Sequence, residues 1–274
     1  MSTRLSRFCR VASFAATAAL LPMAAAAQNR IETPPRVVGE RYFVELGGIF
    51  WNPTPSGIIA SDRLDIVGDQ VDFVNDLGFA QTRFRDLRLV LRPAPKHRIR
   101  FQYTPIAFTA DNIFQRTITF NGQVFPVAVP VTSELGWTVL RAGYEYDFLY
   151  KSRGFAGVLF EVRHTQLRAH LSSPLGQSEV VQAEAPLPAI GFVGRFYVIP
   201  EVAINVEVSG LSLRDVLPEY SASYFDWDVH ATANFTRNVG VQAGWRRMTT
   251  FLEIDRETGD VVFQGLWFGG VVRY

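Results

Sequence analysis

A closed, antiparallel, up-and-down transmembrane β-barrel of about ten strands is the all-β fold this sequence predicts, with eight or twelve strands as alternatives. Three observations predict it. Residues 41–274 are dominated by period-two segments rich in Val, Phe, Tyr and Thr, which read as strands. The connections between them alternate between tight and long. One side of the alternation is apolar and aromatic, while the other carries Arg, Asp and Glu together.

The chain opens on "MSTRLSRFCRVASFAATAALLPMAAAAQ". Arg4, Arg7 and Arg10 precede an apolar stretch over 11–21, and Ala24 to Ala27 supply small residues at a cleavage point, so residues 1–27 are expected to be a removed signal peptide. A short segment, 28–40, then leads into a barrel domain over 41–274. Removal takes three arginines from 27 basic residues and none from 26 acidic ones, which leaves a balance of −2 and argues against a nucleic-acid partner. It also takes Cys9, the single cysteine, so no disulfide or thiol chemistry is expected. Beyond the leader no apolar run reaches the length of a spanning helix. Only Lys96 and Lys151 are lysines, and the other basic residues are arginines, which suit buried bidentate ion pairs.

Ten segments follow, at 41–52, 82–93, 97–108, 132–149, 154–172, 188–199, 201–213, 220–236, 239–254 and 260–274. "PAPKH", "YKSRG", "VIPE" and "TRNVG" are tight connections; 53–81, 109–131, 173–187 and 213–219 are longer, and "DRETGD" is short. Alternating tight turns and long loops place all tight turns on one side, the rhythm of membrane barrels. A tilted strand of about 9–11 residues spans a bilayer, and a sheet in lipid must close, because hydrocarbon offers its edges no hydrogen bonds. The last strand, ending "LWFGGVVRY", is therefore expected to pair with the first, "RYFVELGGIFW". Alternation assigns the faces. Leu140, Ala142, Tyr144, Tyr146 and Phe148 oppose Arg141, Gly143, Glu145 and Asp147, and Ile99, Phe101 and Tyr103 oppose Arg98, Arg100 and Gln102.

Taken together, the leader, the alternating strands, the turn rhythm and the terminal "FGGVVRY" resemble the bacterial outer-membrane β-barrel proteins. That resemblance implies insertion in the bacterial outer membrane with both termini periplasmic. It implies contact with outer-membrane lipid, and recognition by the barrel-assembly machinery through Phe268, Val272 and Tyr274. Gly270 stands where that ending usually has a bulky residue.

About ten strands leave little free space inside. The inward charges Arg88, Arg92, Arg141, Glu145, Glu161, Arg163, Arg195, Glu207, Asp226 and Arg246 are expected to neutralise one another in an ion-paired, largely plugged lumen. "YFDWDVHATAN" puts Asp226, Asp228, His230, Thr232 and Asn234 on that inward face, with the two aspartates toward the outer end of the strand. An Asp two residues before a His can orient an imidazole as a general base. Asp228 and His230 are similar to half of the site of omptin proteases, which are also ten-stranded barrels. The second half, a close acid pair, has no match among Asp62, Asp65, Asp69, Asp72 and Asp76. His230 and Thr232 hold the spacing, but not the lipid-facing position, of a lipid A deacylase pair. No catalytic residue is assigned from the sequence.

The aspartate-bearing loop lacks EF-hand spacing and is expected to be solvated. "TITFNGQVFPV" predicts a hairpin at Asn121-Gly122 that extends the barrel or folds over its mouth. No cofactor, metal site or surface ligand is indicated. The expected role is a non-enzymatic structural or surface-interaction barrel. The alternatives are a narrow channel for ions or small solutes, and an omptin-like hydrolase.

Overall fold

The computed structural model describes residues 38–61, 68–217, 220–254 and 257–274. The leader, most of the 28–40 segment, Asp62 and Asp65 lie outside the described residues. In chain order the strands are β1 (Val44–Trp51), β2 (Thr54–Ser61), β3 (Val71–Asp72), β4 (Phe84–Ala94), β5 (His97–Ile113), β6 (Ile118–Phe120), β7 (Gln123–Phe125), β8 (Pro130–Lys151), β9 (Gly154–Ser172), β10 (Ser178–Ile199), β11 (Val202–Leu217), β12 (Tyr220–Asn234), β13 (Val239–Ile254) and β14 (Glu257–Arg273).

β14 closes the barrel. One edge pairs with β13. The other pairs with β1 from Glu45↔Arg273 to Trp51↔Trp267, and then with β2 from Thr54↔Gln264 to Ser61↔Glu257. β1 and β2 are thus one long strand, broken at Asn52-Pro53, and the wall has ten strands, all antiparallel. Gly265 faces the break. A Cβ there would lie 2.2 Å from the Asn52 carbonyl oxygen, so only glycine permits this approach.

Each expected segment contains a strand, and the rungs run further than period-two reading suggested. Residues 54–61, expected as loop, form β2. Residues 178–187, also expected as loop, pair residue for residue with β9, from Ser178↔Ser172 onward. Pro186 and Pro188 lie within this strand. Proline is tolerated where its missing N–H faces no ladder partner.

The strands reverse their polarity along their length. Near the tight turns β8 points Arg141, Glu145 and Asp147 inward and Leu140, Tyr144 and Phe148 outward. Nearer the loops it points Val131, Leu135 and Trp137 inward, with Glu134 outside. β5 changes from buried Arg98 and Gln102 to buried Ile106 and Phe108. β9 changes from Glu161 and Arg163 to Ala169 and Leu171. The turn-end half is therefore apolar outside and charged inside, as hydrocarbon requires. The loop-end half is polar outside around an apolar core, as water requires. On β14 the outward apolar stretch runs from Leu266 to Tyr274. At ~3.3 Å per residue and a tilt of about 40° its eight steps span roughly 20 Å, close to the height of a barrel's lipid-facing band. Trp227 and Trp245 stack face to face, centroids 6.2 Å apart, on the outer face next to Arg247.

Segments from the connections fill both ends. At the loop end Phe73, Leu77 and Phe79 turn inward, and hairpin β6–β7 adds Ile118, Phe120 and Phe125, all buried. The aspartate-bearing loop is thus partly plug rather than wholly solvated, because its apolar residues complete the core. Asp69 accepts the Thr119 N–H at 2.6 Å, and Asp76 accepts from Arg116 at 2.9 Å, which ties loop to hairpin. Asn121 and Gly122 have φ of 50° and 77°, the two-residue turn that Asn-Gly favours. At the turn end the stretch before β1 crosses the opening. The Val38 N–H donates to the Pro200 oxygen at 3.0 Å, and Asn234 donates to the Val38 oxygen at 2.9 Å.

Candidate functional site

The inward side chains of the turn-end half form one ion-paired body. Arg246 grips Asp226 with two hydrogen bonds, at 3.1 and 2.8 Å, and reaches Asp86 at 3.1 Å. Arg163 donates to Glu161 at 2.6 Å, Asp226 at 3.1 Å and Ser209 at 2.6 Å. Arg141 bonds Glu161 and Glu207 and donates to Gln102 at 3.1 Å. Arg100 joins Glu207 to Glu145, and Arg98 joins Glu145 to Asp147. Arg88 reaches Asp228 at 3.0 Å.

Closer to the turns, Arg195 donates to Glu40 at 2.6 Å, Arg92 and Arg98 lie within 3.7 Å of the same carboxylate, and Arg273 pairs with Glu45. Among the described residues the network holds nine guanidinium groups (88, 92, 98, 100, 141, 163, 195, 246, 273) and nine carboxylates (40, 45, 86, 145, 147, 161, 207, 226, 228). It is electrically balanced. A buried charge without partners is costly, so this balance is a condition of the fold.

Glu40 precedes the first strand. Burial pushes its carboxyl up, but the pull of Arg195, Arg98 and Arg92, together with the Tyr197 hydroxyl, outweighs this and holds it at about 2. It is the pin of the N-terminal stretch.

Asp226 and Asp228 sit mid-strand rather than toward the outer end, because β12 runs from Tyr220 to Asn234. The Asp228 Oδ1 to His230 Nδ1 distance is 2.8 Å, so the pair exists. Its setting is enclosed. The His230 side chain is 9% exposed, its ring centroid lies 4.9 Å from that of Trp267, and Arg88 occupies the other carboxylate oxygen of Asp228. Thr232 accepts from Asn205 and Gln242. Beside His230 is a cavity of about 70 Å³ between Arg88, Arg100, Glu145 and Glu207, space for a few waters. Among the described residues, the aromatic core of the loop-end half lies between this cavity and the loop-end opening. Among the described residues no cluster of His, Cys, Asp and Glu is arranged to hold a metal ion.

Sequence reasoning placed most of the network on the inward face but left out Glu40 and Asp86. Asp86 was findable, since it stands in step with Arg88 and Arg92 in "FRDLRLVLR". Glu40 carried no periodic signal, because it lies before the strand. Phe268, Val272 and Tyr274 point outward on β14, along the edge that joins β1.

No family model matches the chain, and no characterised protein sequence matches it. Similar solved structures exist. The outer membrane protease OmpT from Escherichia coli matches over 84% of this chain and 96% of its own, with a TM-score of 0.53 and 10% identity. Ail, the attachment invasion locus protein of Yersinia pestis, solved with the heparin analogue sucrose octasulfate, matches over 84% of this chain and 99% of its own (TM-score 0.40, 11% identity). The Pseudomonas putida toluene transporter TodX matches over 85% and 90% (TM-score 0.32, 6% identity). The likeness to OmpT is one of fold. The fold of this chain is that of the bacterial outer-membrane β-barrel proteins, in its ten-stranded form.

Proposed function

We propose that this protein is a self-sealed integral barrel of the bacterial outer membrane that acts through its surfaces, as a structural or interaction protein, rather than by conduction or catalysis. The tight turns and both termini face the periplasm, and the loop-end half stands above the outer leaflet. One observation carries the reading: two successive fillings occupy the lumen. An aromatic core packs around Phe263, whose ring lies 5.7 Å from that of Phe108 and 5.2 Å from that of Trp137. Below it lies the balanced ion-pair network. A channel needs a continuous wet path, and a hydrolase needs substrate to reach Asp228 and His230. The packing favours neither.

Planar-bilayer recording tests the reading. The purified, refolded barrel is expected to give no large, steady conductance, and a steady ohmic current would overturn it. A peptide-substrate screen with His230→Ala tests the hydrolase alternative. No activity is expected in either protein, and an activity lost with His230 would establish that alternative instead.

A further inference from the structure

The barrel wall is not zipped along its whole height. β10 and β11 pair from Ile199↔Val202 up to Ile190↔Gly210. Above that rung β10 continues to Ser178 on β9, and β11 continues to Leu217 on β12; among the described residues the two strands have no further rung between them. The cause is in the sequence. The Tyr197 N–H donates to the Arg153 oxygen, on the β9 side, and pairing with β9 then runs without a register shift from Phe196 to Ser178. Donor direction alternates along a strand, so even-numbered residues of β10 turn their N–H toward β11. Pro186 and Pro188 are even-numbered and have none to offer. A second fork, between β4 and β5 above Leu87↔Tyr103, is backed by the 71–79 segment, where Asn112 donates to the Asp76 oxygen at 2.8 Å.

At the β10–β11 fork lies a cleft of about 530 Å³. Ile190, Phe192, Val208 and Phe225 line it from the outer face, and Leu211 and Tyr224, on the inner face, also border it, so it is an open groove along the parted strands. Its mouth sits at the rim of the lipid-facing band. Below it Phe192 is 62% exposed, while above it the outward residues become Glu184 on β10 and Ser221 on β12.

We infer that this seam binds one acyl chain of an outer-leaflet lipid, held between the parted strands with its headgroup at the polar rim. The cleft is continuous with the surface that already faces hydrocarbon, which identifies the occupant. A water-filled slot lined by Ile, Phe and Val would forfeit the burial that an acyl chain supplies. The inference rests on the transmembrane fold and, for the leaflet, on the proposed orientation, and stands whether or not the lumen conducts.

The test uses the full mature barrel in vesicles of phosphatidylethanolamine carrying a diazirine in one acyl chain, with labelled residues mapped by mass spectrometry. Labelling at Ile190, Phe192, Val208 and Phe225 is expected to exceed, several-fold, that at Phe50, Leu266 and Phe268 across the barrel. Val208→Trp fills the cleft and is expected to bring the seam down to the level of the far wall while keeping the electrophoretic shift of a folded barrel. Should that variant fail to insert, Pro186→Val with Pro188→Val makes the same test by restoring two donors that zip the strands. Even labelling around the native wall, or seam labelling unchanged in the folded variant, overturns the proposal. So does labelling by a free diazirine fatty acid but not by the phospholipid.

Discussion

Glu207 accepts from Arg100 and Arg141, which lie on neighbouring strands across the lumen from it. Glu207→Ala leaves two guanidinium groups without a shared anion. Breaking a buried pair from one side costs about 3–5 kcal/mol, and that loss is expected in urea unfolding followed by tryptophan fluorescence. Arg247→Ala, at an exposed site, is expected to change stability by no more than about 0.5 kcal/mol. Glu40 gives a pH signature. Its folded-state value of about 2 lies below the ordinary 4.5, so its contribution is complete above about 4.5 and disappears as pH falls toward 2. The stability advantage of the native protein over Glu40→Gln should therefore be constant at neutral pH and shrink through that window; a constant difference down to pH 2 would remove Glu40 from its role as pin. The inward side of these residues was legible because a strand alternates with period two. Their partners were not. Arg88 meets Asp228 and Arg246 meets Asp86 only because a closed barrel brings β4 close to β12 and β13.

At the level of elements, hairpin β6–β7 works as a stopper. Phe120 is 1% exposed although it belongs to a loop connection. Phe120→Ala is expected to cost ~3–5 kcal/mol, as for a large side chain removed from a packed core, and to increase binding of a hydrophobic dye at the loop end. Its turn was readable from Asn121-Gly122, but its destination was not, since "ITFNGQVF" suits an extension of the wall as well as an inward fold. β10 shows the opposite failure. Its upper half was expected as the connection 173–187, whereas the strand starts at Ser178, and Pro186 and Pro188 mark which of its edges is left free. The polarity reversal of β5, β8 and β9 was present in the sequence too, but a reading that assigns one polarity to each face of a strand passes over the point where the faces exchange roles.

For the whole molecule, the charges that matter are shielded from solvent ions, so the unfolding midpoint should change little between about 0.1 and 1 M salt; a large drop would mean that the network is wet. Removal of Tyr274 deletes the residue whose backbone exchanges hydrogen bonds with Val44 across the closing seam. It is expected to slow insertion into membranes containing the assembly machinery more than it lowers the stability of barrels already folded, measured by the electrophoretic shift over time.

The network that balances nine cations against nine anions draws on both chain ends, with Glu45 held by Arg273 and Asp86 by Arg246. A sheet that lacks β13 and β14 would leave Glu45 and Asp86 without these partners. A copy truncated before Arg246 is therefore expected to be unstable in the bilayer, because Asp86 and Asp226 lose the guanidinium group they share.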